Sequence, residues 1–585
     1  MASDGSTPPG PAPVRGYWVG DALWLAVLAA WTAGWCLSAA PRLGVTYDEP
    51  FYMDAGLEAW RGWVRDDGRP EQFFHEATAT NGVMPLPIDA VTLPLYIHER
   101  QSGVRLETPD AKFALLGRAR AVTLGWLWLL VFSAWRLGRA AGGVWAGRIA
   151  AGLIAADPNF LGHAAIATTD IAVSAALMAF ARAVYAGRAG GWWKRLILPG
   201  LWFGVAALCK ISALLYGGII LVVLEVCYRF ASGGLSRPVG GSWKTWGVKV
   251  TGAVFRSVLN ATVILAIGLT IAVEYFGYPE PDRRPFEKVA KAVPPTEPLK
   301  PKYEKWAKEY TRVPHAVCAF AFQWWYNAHG RPTFLNGTFY PEGYRYYFPE
   351  VLLMKVPLPI FLLMLIALAR PRAVANPLTV VTLLLLAALL KANLQIGVRL
   401  AFPAVALGYV ALAVALGRGY SQRAPWIAVP AVLALAAVSV WVWPNGLGYL
   451  NQAHGGPGAA HWRVTDSNVD WGQGLPELKA WHEANGRPLI WVWYFGADPA
   501  VDDPPFGRFQ PDVQRPEIRN EAELRRAVGP RVLAVGHTVV SLHPNVTRSK
   551  TVTLEYLRTR RPLARTSTFT LYDFRDEQNG PPALE

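Results

Sequence analysis

Gly44-Val45-Thr46-Tyr47-Asp48-Glu49-Pro50-Phe51-Tyr52 follows directly on a hydrophobic run, Tyr17 to Leu43, rich in Trp, Leu, Ala and Val. A bilayer core of roughly 30 Å needs about 20 apolar helical residues, so the run is long enough to cross it. Two adjacent carboxylates at the mouth of such a helix either mark where the chain enters water or serve a site, because charge at a membrane helix is costly. Position alone leaves both readings open. No small-residue cleavage site follows the run, which reads as a retained helix and not as a signal peptide.

Composition extends that reading to the whole chain. Of 585 residues, 52% are hydrophobic and 17% charged, with 26 Trp and a mean hydropathy of +0.20. Soluble domains carry about 25% charged residues, so this is a membrane protein with soluble parts. The net charge of +15 needs no nucleic-acid partner. Lys and Arg concentrate in the cytoplasmic loops of polytopic proteins, and no basic stretch is interleaved with exposed aromatics in a soluble segment. Cys36, Cys209, Cys227 and Cys318 are scattered, with no CxxC and no His at ligand spacing, which argues against a zinc site or disulfide framework.

Further apolar spans fall at about 118–137, 144–162, 169–186, 196–210, 212–230, 253–276, 350–369, 376–391, 400–417 and 425–443. With the first, they predict a polytopic α-helical membrane protein of about eleven helices. One set of short loops holds Arg136, Arg139 and Arg148, then Arg188, Lys194 and Arg195, then Arg370, Arg372, Arg418 and Arg423. The positive-inside rule puts that set and the N-terminus in the cytoplasm. Residues 1–16 then form a disordered cytoplasmic tail and 17–443 the transmembrane domain, with outer loops at 41–117 and 277–349. The second loop is aromatic: Trp324-Trp325-Tyr326, His329 and Tyr344-Arg345-Tyr346-Tyr347. These rings suit an interfacial belt or a sugar platform equally. From Pro444 the pattern changes to strands at 490–495, 532–535 and 569–572 with helices at 474–485 and 520–528, which predicts a small outer α/β domain over 444–585.

Polar groups recur at the outer helix ends: Asp48, Glu49, Arg120, His163, Asp170, Lys210 and Arg399. Singly, Arg120 could pair with a neighbour, Lys210 could snorkel and Asp170 could cap a helix beginning at Ile171. Jointly on one side of the membrane they favour a site in which a carboxylate takes a hydroxyl proton and cations hold a phosphate. P-loop, Rossmann, serine-hydrolase and HExxH patterns are absent. Outward chemistry without cytoplasmic nucleotides needs a donor that arrives through the membrane, and a sugar on a lipid phosphate meets that need.

The ordered set Tyr47-Asp48-Glu49, Ala119-Arg120-Ala121-Val122, Asp157-Pro158-Asn159-Phe160-Leu161-Gly162-His163 with Thr169-Asp170, Cys209-Lys210-Ile211-Ser212, Lys355-Val356-Pro357 and Gly397-Val398-Arg399-Leu400 resembles the GT-C glycosyltransferases of the protein O-mannosyltransferase and aminoarabinose-transferase type. Asp466-Ser467-Asn468-Val469-Asp470-Trp471-Gly472-Gln473 is similar to a motif of bacterial members with an outer C-terminal domain. The resemblance implies a GT-C fold in a bacterial inner membrane, with the site facing the periplasm. It also implies inverting transfer of a sugar from a polyprenyl phosphate to a hydroxyl of a protein, lipid or glycan. It assigns Asp48 and its partner Glu49 to catalysis, and Asp170, Arg120, Lys210, Arg399 and His163 to the donor phosphate or substrate. Many members have His-Pro-Pro or Lys-Pro-Pro in the first outer loop. This chain reads Asn81-Gly82-Val83-Met84-Pro85, leaving Asn81 or His75 as the donor contact. His329 and Tyr346 are candidates on the acceptor side. No metal ligand set is expected, and divalent-metal dependence stays open. A transporter or flippase of a lipid-linked substrate, or a non-catalytic scaffold, are the competing classes.

Overall fold

The computed structural model describes residues 16–63, 75–235, 242–278, 287, 290–291, 293, 300–309, 313–511, 518–542 and 548–575. The predicted N-terminal tail, apart from Gly16, and most of the proline-rich piece near 294–301 lie outside them. Six stretches are long and apolar enough to cross a membrane: Trp18–Arg42, Leu116–Gly142, Asp170–Gly187, Ser212–Ala231, Trp243–Phe276 and Val398–Trp441. A seventh arises if Tyr347–Lys355 and Leu358–Leu368, bent by 103°, form one span. The chain is a multi-pass membrane protein, mostly helical, with a small mixed sheet near its end.

The hydropathy runs and the helices differ where proline falls. Run 144–162 becomes Val144–Ala156 and Pro158–Ala164, because the residue before a proline is driven out of the helical region. Asp157 takes extended angles there and caps the second helix by accepting from Asn159 N at 2.7 Å. The same rule breaks 350–369 at Val356-Pro357. Lys210, extended between Leu198–Cys209 and Ser212–Ala231, separates the two runs around it.

The helix core is built from small residues: Ala150, Ala151, Ala172, Ala175, Ala176, Ala406 and Ala413 are all fully buried with Leu153, Phe180 and Val410. Small side chains let membrane helices approach closely enough for dispersion to hold them. Leu215, Val222, Phe255, Leu365 and Leu433 are exposed, as lipid-facing positions should be. Near the start of the first helix, buried Asp21 pairs with Arg148 at 2.7 Å and with Arg139. The Asp48 stretch lies at the opposite end.

The first outer loop folds as Glu49–Trp63, Glu76–Thr80, Pro85–Ser102 and Pro109–Phe113. The first and third of these pack Met53, Leu57, Val91 and Leu95 into one cluster with Leu116 and Ala119, which the last joins through Ala111 and Phe113. In the second, a helix His315–His329 precedes an antiparallel pair, β1 (Thr333–Leu335) and β2 (Thr338–Tyr340).

The terminal sheet has β3 (Ile490–Trp493), β4 (Phe506–Arg508), β5 (Val532–Gly536), β6 (Ala564–Arg565) and β7 (Phe569–Asp573) in the order β4-β3-β5-β7-β6. The first two pairings are parallel and the last two antiparallel. β5 is buried throughout, which a run of Val and Leu without alternation requires. Residues before the sheet do not stand apart from the helices. Leu447, Leu450, Val464, Val469 and Trp471 belong to the same hydrophobic cluster as the membrane core.

Candidate active site

The segment 44–48 is held as a loop by the far end of the chain. Gly44 N donates to Gln473 O and Tyr47 N to Trp471 O, both at 2.8 Å. The Tyr47 ring stacks on Phe495 at 5.0 Å between centroids. Helix Glu49–Trp63 then starts with Glu49 in its first turn and Asp48 immediately before it, where the helix dipole favours negative charge.

The adjacent carboxylates have different surroundings. Glu49 is fully buried and receives Arg120 Nε at 2.8 Å, Arg120 Nη2 at 2.7 Å, Thr46 N at 2.8 Å and Ala167 N at 2.9 Å. Arg120 gives its other hydrogens to the carbonyls of Ala40, Leu43 and Gly44 at 2.6–2.8 Å. Every donor of that guanidinium is taken by protein, so none is left to offer a phosphate. The pair ties the end of the first helix to Leu116–Gly142.

Asp48, in contrast, keeps 26% of its side chain exposed. Its Oδ2 accepts from Tyr52 OH and from Arg399 Nη1, both at 3.3 Å. Burial, then the Asp48 charge, raise the Tyr52 phenol well above its usual range, so it stays a donor. The same Arg399 nitrogen lies 3.5 Å from Asp170 Oδ2, and Lys210 Nζ binds Asp170 Oδ1. Asp170 is the first residue of its helix, and its side chain makes no cap. Two carboxylates and two cations from four separate segments thus meet. Lys210 keeps 24% of its side chain exposed, and Arg399 Nε has no hydrogen-bond partner, so both cations retain capacity for an anion.

Arg399 is placed by residues of the quoted motifs to which sequence reading gave no role. Its Cζ lies 3.9 Å from the centre of the Trp471 ring, a cation–π contact that also shields one face. Gly397 adopts φ 127°, and a Cβ there would fall 2.1 Å from Ser467 Oγ. Val398 N donates to Asn468 Oδ1 at 2.9 Å. Asp466 sits at φ 56°, rare for a residue with a Cβ, and such strain concentrates at functional sites. Burial raises its pKa, with Arg399 and Ser467 N opposing. Lys355 Nζ reaches the carbonyls of Asn468 at 2.5 Å, Leu447 at 2.6 Å and Tyr449 at 2.8 Å, binding the bent helix pair to this segment. The motif 466–473, noted for its resemblance alone, is the signal that could have found Trp471.

The remaining candidates separate. His163 is buried beside the cluster, its ring 6.3 Å from Trp471 and its Nδ1 2.9 Å from Asn159 O. His75 lies in another polar group, with its Nε2 2.9 Å from Asp89 Oδ2, an oxygen that also accepts from Tyr275 OH at 2.9 Å. Asn81 is exposed and donates to Ala77 O. His329 is exposed with its ring 5.2 Å from Trp325. Tyr326, on the same helix, does face the cluster. Burial raises its phenol, Asp466 and Asp48 add to the shift, and Arg331 and Arg399 oppose it. Tyr346 is half exposed against Tyr344 and Arg345. Among the described residues no three His, Cys, Asp or Glu side chains converge as a metal site.

No family model matches the chain, and neither does any curated protein. Among solved structures it is similar to ArnT from Cupriavidus metallidurans bound to undecaprenyl phosphate, at 13% identity and a TM-score of 0.44, covering 97% of this chain and 100% of that one. It is also similar to the oligosaccharyltransferase AglB from Archaeoglobus fulgidus in complex with an inhibitory peptide and a dolichol-phosphate. There the identity is 14% and the TM-score 0.41, over 74% of this chain and 55% of that one.

Proposed function

We propose that the chain is a GT-C-type membrane glycosyltransferase that moves a sugar from a polyprenyl phosphate to an acceptor hydroxyl on the outer face of a bacterial inner membrane. The observation that carries this reading is Arg399 Nη1, 3.3 Å from Asp48 and 3.5 Å from Asp170, with Lys210 on the other Asp170 oxygen. The acceptor oxygen attacks the anomeric carbon from the face opposite the phosphate. The carbon–phosphate-oxygen bond breaks, the configuration inverts, and the hydroxyl proton passes to Asp48. Lys210 and Arg399 hold the departing lipid phosphate, and fixed charges of this kind supply a large part of many rate enhancements. Asp170 keeps both cations in place. Glu49 and Arg120 hold the loop that carries Asp48, while Trp471 and Tyr326 bound the space around it.

Val144–Ala156, Leu198–Cys209, Pro377–Leu389, the bent pair, and Phe402–Tyr420 and Ala424–Trp441 taken separately complete eleven crossings with the long helices. With the basic loops cytoplasmic, the Asp21–Arg139–Arg148 end lies inside and, after eleven crossings, the terminal sheet outside. A transporter of a lipid-linked substrate is favoured by one observation, the 103° break in a span. Lys355 fixes that break to three carbonyls, which suits a rigid joint better than a moving gate.

Asp48→Asn is the deciding variant. With a radiolabelled polyprenyl-phosphate sugar and membrane-extract acceptors, transfer falls at least about a hundredfold, the lower range for losing a general base, while the protein inserts and purifies normally. Undiminished transfer by that variant would remove the central claim.

A further inference from the structure

A cavity of about 560 Å³ lies where the first and last spans emerge beneath the terminal sheet. Arg42, Trp443, His461, His537 and Arg565 line it, and Asp48, Asp170, Lys210 and Arg399 do not. Among the described residues neither Arg42 nor Arg565 makes an ion pair. Arg42 donates to Ser38 O at 2.7 Å and lies 4.7 Å over the Trp443 ring. The one carboxylate in the wall, Glu477, is occupied by Ser567, accepting from its backbone N at 3.0 Å and from its hydroxyl. His537 is only 5% exposed, and neither ring nitrogen reaches a partner at hydrogen-bonding geometry, although the backbone of Ser567 and Phe569 lies close. The His461 ring is 5.4 Å away.

A second cavity, a groove of about 340 Å³, shares Trp443 with the first. Ala30, Gly34 and Ser38, each four residues apart, form one wall, and Val440 and Trp443 the other. Trp31 and Trp35 line it too, but their indole N–H groups point inward to Ala155 O and Ser439 O, so the groove offers apolar surface. An apolar channel along two spans thus runs into a cation-lined pocket at the depth where Trp residues mark the membrane boundary.

We propose that pocket and groove together bind one net-anionic phospholipid, with its phosphate between Arg42 and Arg565 and an acyl chain along Gly34. A phosphate accepts charge-assisted hydrogen bonds from both guanidiniums, and basic pockets beside membrane helices are suited to anionic headgroups. Burial, then His461 and Arg565, hold the His537 pKa down to about 3. Its ring is therefore neutral and can donate one hydrogen bond to a headgroup oxygen. The inference stands independently of the transferase reading.

Native mass spectrometry of the full-length protein in a neutral detergent, titrated with phosphatidylglycerol or phosphatidylcholine, tests it. One phosphatidylglycerol binds about tenfold or more tightly than phosphatidylcholine, whose phosphate bears the same charge but brings its own ammonium against the two guanidiniums. Arg42→Gln with Arg565→Gln erases that preference. Gly34→Leu, at a position where an added Cβ meets nothing within 4 Å, weakens the lipid but leaves glycerol phosphate binding unchanged. Each variant must retain the wild-type melting temperature, and His537→Gln, which keeps a donor of similar reach, provides a milder probe of the same pocket. No preference for phosphatidylglycerol, or a preference that survives the double Arg variant, overturns the assignment. Displacement by millimolar inorganic phosphate with Gly34→Leu silent makes the ligand a free phosphate and overturns the lipid.

Discussion

Asp48 and Glu49 are neighbours in sequence with opposite fates. Glu49 has four hydrogen bonds and no exposure, so replacing it should act first on folding. Breaking a buried ion pair by neutralising one partner costs about 3–5 kcal/mol, because the other charge is stranded. Glu49→Gln therefore lowers the melting temperature in a fluorescence-detected thermal assay, whereas Asp48→Asn leaves it within error. A variant pair with equal melting temperatures contradicts this division. Asp48, Asp170, Lys210 and Arg399 are legible because charge at an apolar helix end is conspicuous. The difference between Asp48 and Glu49 is not, since it depends on which carbonyls Arg120 reaches. Trp471 is half legible: the motif 466–473 marks its stretch by resemblance, but nothing in it shows the ring lying under an arginine 72 positions earlier.

Elements were legible to the extent that hydropathy resolves them. A window average passes over Asp157-Pro158 and Val356-Pro357, so single runs are read where the backbone turns. The strands at 490–493, 532–536 and 569–573 are plain from their Val, Trp and Phe content, while the short edges β4 and β6 are too brief to register. Between helices and sheet lies Asp470, whose Oδ2 accepts from Thr538 N at 3.0 Å and Oδ1 from Gly472 N at 3.1 Å. Burial pushes its pKa up to about 6 from an ordinary value near 3.8. A carboxyl raised on folding stabilises most when protonated. Its contribution is complete below pH about 4 and is lost as pH rises through about 6. Melting curves at pH 4.5 and 7 should show a drop across that window in the wild type that Asp470→Asn reduces. An identical pH slope in both proteins would count against a titrating Asp470.

At the scale of the molecule, the boundary drawn at Pro444 from hydropathy does not coincide with a break in packing. Residues 447–471 fill the core shared with the spans, and their carbonyls hold the Lys355 ammonium. A chain ending at residue 443 would leave that ammonium buried without acceptors, a cost of several kcal/mol. It should elute as aggregate on size-exclusion chromatography and lack activity. A monodisperse, active 1–443 protein would show that the terminal portion is dispensable after all. The change in composition after Pro444 is real, but the packing continues across it.

The bed under Arg399 also sets a schedule. Trp471 emerges from the ribosome 72 residues after Arg399, on the order of 4–14 s later at translation rates of roughly 5–20 residues per second. During that interval Phe402–Tyr420 and Ala424–Trp441 are still being made, the guanidinium has no aromatic beneath it and Lys355 lacks its three carbonyls. On the transferase reading proposed above, each newborn molecule is inert until residues 447–471 have folded back onto the helices. On the same reading, a chain stalled just after Trp441 stays catalytically silent.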